Sequence, residues 1–141
     1  MNSKFILLLL TATAAIAQTP DAFTGTWKLN VAKSKAHYRG GTRTYEPVAG
    51  GVHVTFTMLR DDGTETKGEY TTQCADGKCA SDQASWTHKD PRTLEGLTYD
   101  HGKPDSRYVR TVSGNGKTMK ITFYPPTGKK KTTSVQVWEK Q

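Results

Sequence analysis

Short runs of alternating apolar and polar residues dominate the chain. The clearest covers residues 52–59, where Val52, Val54, Phe56 and Met58 share one face and His53, Thr55 and Thr57 the other. A period of two marks a half-buried β-strand. Further β-type runs cover residues 24–30, 42–48, 64–73, 83–89, 93–99, 106–113, 118–124 and 131–140. Turn residues separate them, among them Gly50-Gly51, Asp61-Asp62-Gly63, Asp90-Pro91, His101-Gly102-Lys103-Pro104, Gly114-Asn115-Gly116 and Pro125-Pro126-Thr127-Gly128. Leu94 and Leu97 are out of phase, which predicts a bulge near Gly96. Only residues 31–37 leave room for a short helical turn. Regular short strands joined by hairpins predict an all-β fold, an antiparallel up-and-down meander of about 8–9 strands. A barrel is favoured over a sandwich because closure removes the exposed edges of a long meander.

The faces of these strands suggest what such a barrel would enclose. One wall carries Val52, Val54, Phe56 and Met58, a second Met119, Ile121 and Phe123, and a third Val135 and Val137. The middle strands offer mixed faces: Tyr70; Ala84, Trp86 and His88; Leu97 and Tyr99; Tyr108, Arg110 and Val112. Turned inward, these give an apolar half and an aromatic, polar half, a lining suited to a small amphipathic molecule. Arg110 can meet an anionic head group with paired donors. The candidate ligand-binding residues are Arg110, Tyr108, Tyr99, Trp86 and Phe56. The alternative keeps Arg110 in solvent and the tyrosine hydroxyls at the rim.

Cys74 and Cys79 flank Ala75-Asp76-Gly77-Lys78, and Asp-Gly is the strongest signal for a two-residue type I′ turn. That turn sets Cys74 opposite Cys79, at a separation short enough for a cross-strand disulfide. The leader, residues 1–17, has a basic start at Lys4, an apolar stretch and Ala15-Ile16-Ala17 before a cleavage point. It reads as a secretory signal peptide, too short to span a bilayer. Secreted or periplasmic localisation after cleavage near Ala17 follows, with residues 18–141 as one domain and no membrane span.

The net charge is +7, and residues 101–141 carry nine Lys/Arg against Asp105 and Glu139. A basic C-terminal face could contact anionic envelope components; nucleic acid is not expected in that compartment. His37, His53, His88 and His101 lie on separate elements, so no metal site is expected. No nucleophile elbow or phosphate loop occurs. Neither a cofactor nor catalysis is expected.

The opening Gly25-Thr26-Trp27 resembles the start of the calycin superfamily, whose lipocalins and fatty-acid-binding proteins begin their first strand with Gly-x-Trp. Val135-Gln136-Val137-Trp138-Glu139-Lys140 resembles their closing strand, and the whole is most similar to small secreted lipocalin-like bacterial proteins. The resemblance implies that Trp27 fills the closed end of a barrel, with Gly25 beside it and Lys140 packed over the indole. It also implies a small hydrophobic or amphipathic ligand. Two departures stand out. Residues 30–41 are too few for the helix–turn–helix lid of fatty-acid-binding proteins, and their carboxylate-gripping Arg and Tyr correspond to Gln136 and Trp138. The avidins open similarly, but their biotin-binding set has no match here. The expected function is a secreted binding protein. The alternatives are an interaction module without a cavity, using its basic face, and an isomerase- or cyclase-like enzyme on the same fold.

Overall fold

The computed structural model describes residues 21–128 and 131–141. The expected signal peptide therefore lies outside the described residues, as do Lys129 and Lys130 of the basic stretch. Ten strands follow one another: β1 (Gly25–Leu29), β2 (Tyr38–Val48), β3 (Gly51–Arg60), β4 (Glu65–Ala75), β5 (Lys78–Ala80), β6 (Ala84–Asp90), β7 (Thr93–Asp100), β8 (Lys103–Val112), β9 (Thr118–Tyr124) and β10 (Ser134–Lys140). Every strand pairs with its sequence neighbour, and β1 pairs with β10 through Trp27↔Lys140 and Leu29↔Trp138. The sheet is a closed antiparallel barrel, without helices among the described residues. Residues 31–33 form a turn, and Lys35 bridges to Val135, where a helical turn was expected. No described helix is long and apolar enough to cross a membrane.

The strand count exceeds the expected 8–9 because the return arm of the cysteine hairpin, three residues long, is a strand of its own. Asp76 and Gly77 both take positive φ, 53° and 75°, as a type I′ turn requires. They set Cys74 opposite Cys79, joined by a disulfide with Cα atoms 4.1 Å apart. A disulfide points to an oxidising compartment.

Two further differences concern phase. No register shift occurs at Gly96; the neighbouring ones fall between Thr98 and Tyr99 against β8 and, in β6, between His88 and Asp90, opposite Leu94 and Thr93. Leu94 faces inward while Leu97 faces outward, so the two leucines simply occupy opposite faces. On β10, Gln136 and Trp138 are buried, and Val135 and Val137 are only half-buried. Two valines at period two read as a core face, but the Trp138 indole has far more apolar area to remove from water and sets the phase.

One end of the barrel is plugged. Trp27 is fully buried, and its Nε1 donates to the Phe23 carbonyl at 3.0 Å. Lys140 Nζ sits 5.3 Å from the centroid of that indole. Gly25, at φ +120°, leaves the space that the Lys140 stem occupies, since a Cβ there would meet Lys140 Cε at 3.0 Å. Phe23 is itself buried, 3% exposed. Residues 18–22 read as a loose lead-in; 18–20 lie outside the described residues, and Asp21 is tied down: its Oδ1 accepts from Phe23 N at 2.8 Å, and its Oδ2 lies 3.8 Å from His88 Nε2.

Candidate functional site

Inside the barrel, inward positions follow the strand alternation closely. Val54, Phe56 and Met58 on β3, Met119, Ile121 and Phe123 on β9, and Trp27, Leu29 and Trp138 supply an apolar shell. Two cationic side chains lie within it. Arg43 on β2 and Arg110 on β8 both border a cavity of about 30 Å³, together with Tyr70, Thr98, Tyr108 and Phe123. A second cavity, about 20 Å³, touches Arg110 from the plugged end, between Phe23, Tyr45 and Trp86. Each has room for one or two water-sized groups.

Arg110 is 3% exposed. Its guanidinium lies 4.6 Å from the Tyr45 ring centroid, 5.2 Å from Tyr108, 5.5 Å from Trp86 and 6.0 Å from Phe23. Arg43 sits 5.4 Å from the Trp138 ring and 5.5 Å from Phe56. Each such contact offsets burial by about 0.5–2 kcal/mol. Ring faces, however, do not satisfy N–H groups, which point outward in the guanidinium plane. Arg110 Nε and Nη1, Arg43 Nε and the Tyr45 hydroxyl are buried without a hydrogen-bond partner. Among the described residues, neither arginine forms an ion pair. Asp21 is the one acid bordering either cavity, and its carboxylate serves Phe23 N and His88 instead.

The tyrosines register this excess positive charge. Burial would raise the Tyr45 phenol, but Arg110 and Arg43 outweigh it and pull the group below its ordinary value. For Tyr70 burial dominates, with Tyr45 adding to it, and the group is raised. Burial likewise raises Tyr108 strongly. Its hydroxyl donates to the Ser85 carbonyl at 3.1 Å, and its ring lies across Gly96 on β7, where a Cβ would collide with it.

Of the residues singled out in the sequence, the fold brings Arg110, Tyr108 and Trp86 together, with Phe56 beside Arg43. Tyr99 lies elsewhere. It keeps the same face as Leu97, but that face is external, and its hydroxyl pairs with Ser85 Oγ at 3.0 Å. Sequence reasoning missed Arg43, Tyr45 and Phe23. Arg43 and Tyr45 alternate with Gly41 along one face of β2, a period-two signal that an arginine in a threonine-rich run conceals. No cluster of three or more His, Cys, Asp or Glu that could hold a metal occurs among the described residues.

A larger concavity, about 450 Å³, lies on the outer surface over β5 to β8. Lys78, Lys89 and Arg107 border it with Ser85, Glu95 and Leu97. Lys89 and Glu95 approach within 3.7 Å, leaving the groove net basic. The basic surface is thus built partly from residues before position 100.

No family model matches the chain, and no curated protein matches it significantly. Among solved structures it is similar to a secretory abundant heat soluble (SAHS) protein from Ramazzottius varieornatus. The identity is 10%, with 87% of this chain and 98% of that one covered, at a TM-score of 0.57. A de novo designed fluorescence-activating β-barrel is also similar, at 14% identity, 87% and 100% coverage, and a TM-score of 0.47. At such identities the SAHS likeness supports the barrel fold alone.

Proposed function

We propose that this chain is an exported, non-catalytic binding protein. It takes a small amphipathic molecule into its barrel with the acidic end against Arg110. The observation that carries this reading is Arg110 itself: buried at 3% exposure, ringed by four aromatic side chains, with two donors unsatisfied. An unsatisfied buried donor costs about 1–3 kcal/mol, more when charged. An acidic ligand group removes that cost, and its apolar body has to displace side chains, since the cavities beside Arg110 hold only about 20 and 30 Å³. The test is titration with decanoate, followed by tryptophan fluorescence. Binding should weaken at least tenfold in Arg110→Met and stay unchanged in Tyr99→Phe, whose site is external. Equal affinity in Arg110→Met would overturn the reading. Export is tested by N-terminal sequencing of the secreted chain, expected to begin at Gln18.

The outer groove favours a second reading, a surface module for an anionic envelope component. Lys78→Ala and Lys89→Ala together should weaken retention on an anionic resin and flatten its salt dependence. Unchanged retention would remove this reading.

A further inference from the structure

The 30 Å³ cavity is bordered by two guanidiniums, not one, and by no carboxylate. We infer that Arg43 and Arg110 together form a site for a compact oxyanion, a phosphate, sulfate or carboxylate group, held between β2 and β8 in the barrel interior. The inference deepens the proposed function, since it rests on the same Arg110 and specifies the group that meets it.

Three observations converge. Arg43 Nε, Arg110 Nε and Arg110 Nη1 are all buried and unpartnered, so donors from two opposite walls of the barrel remain free. The Tyr45 hydroxyl, equally unpartnered, adds a donor without charge. The space holds one or two water-sized groups, so a carboxylate fits with least adjustment, a phosphate or sulfate needs the lining side chains to give, and a chain lying alongside the arginines is excluded. Guanidiniums match such groups because their planar forks present parallel N–H bonds to two oxygens. Cation–π contacts surround both guanidiniums, Arg43 with Phe56 and Trp138, and Arg110 with Tyr45, Tyr108, Trp86 and Phe23. These contacts hold the guanidiniums in place, which lowers the ordering cost of binding. Two positive charges in a water-poor space also favour a group carrying more than one negative charge over a halide of similar size.

The oxyanion can come free in solution or at the head of an amphipath, and the experiment separates these sources. Inorganic phosphate and decanoate are each titrated into the full mature chain by calorimetry, with chloride at matched ionic strength as control. Phosphate should bind saturably and raise Tm where chloride does not. Arg43→Met should weaken phosphate at least tenfold, as should Arg110→Met. Arg43→Lys, which keeps the charge and loses the fork, should weaken it less and serves if Arg43→Met does not fold. Phosphate binding that needs both arginines, with decanoate not binding, would sustain the site and refute the amphipath reading. Decanoate binding that needs Arg110 but ignores Arg43→Met and Arg43→Lys would sustain the amphipath reading and overturn the two-arginine site. Phosphate indistinguishable from chloride, with decanoate insensitive to Arg43, would overturn it as well.

Discussion

Tyr45 faces the buried Arg110 and the half-buried Arg43, and its chemistry is decided by which force on the phenol is larger. Arg110 and Arg43 win over burial and hold the group below the ordinary tyrosine value. Tyr70 and Tyr108, where burial wins, lie above it. The linkage between ionisation and folding then has two signs. As pH rises from the folded-state value of Tyr45 toward about 10, the unfolded chain holds a proton that the folded chain has lost, so stability increases. Above about 10, Tyr70 and Tyr108 retain protons that the unfolded chain has released, and stability falls by about 1.4 kcal/mol per pH unit for each. Urea midpoints measured from pH 7 to 11 should rise and then fall. Tyr45→Phe should lose the rise and keep the fall; an unchanged rising limb would show that the arginines do not control this phenol. Gly96 makes a second argument at the level of single atoms. A Cβ there meets both the Ser85 carbonyl oxygen and the Tyr108 ring, whereas one at Gly68 meets only the Phe56 ring. A ring can swing and a paired backbone cannot, so Gly96→Ala should cost more than Gly68→Ala, by about 1–3 kcal/mol in urea denaturation.

At the level of elements, β4 and β5 are joined by a tight turn and by a covalent bond as well. The disulfide spans a sequence separation of 5, so it closes a small loop and stabilises the fold by about 2 kcal/mol. Reduction should lower Tm by about 5–10 °C in a scan with and without reductant and leave the barrel folded. The pairing of β1 with β10 matters more, because it converts an open meander into a barrel without edges. Trp27 lies at that seam, entirely buried, anchored to the Phe23 carbonyl and covered by Lys140. Trp27→Ala should therefore cost about 3–5 kcal/mol, read from the urea midpoint at constant slope.

The whole molecule encloses charge where a barrel of this size ordinarily encloses hydrocarbon. The two cavities that Arg110 borders are small, about 20 and 30 Å³, so function rests on a few unsatisfied donors among the described residues. Arginines from β2 and β8 reach one small space because closure brings strands far apart in sequence to face each other across the barrel. Replacing both with methionine should remove an internal repulsion as well as the unsatisfied donors. The double variant is expected to be at least as stable as the native chain in urea while binding no oxyanion, a separation of stability from function.

Much of this was legible in the residues themselves. Alternation in β3 and β9 assigned the correct faces, Asp76-Gly77 set the disulfide register, and Gly25-Thr26-Trp27 marked the strand that closes the barrel. The first two features are local, resting on a period of two and a two-residue turn; the third was legible only as a resemblance to the calycins. The phase of β10, the outward turn of Tyr99, the plug at Phe23 and the meeting of Arg43 with Arg110 were decided only by the tertiary structure. Each depends on which side chain wins a shared interior, or on contacts between strands distant along the chain, and no single stretch of sequence carries that information.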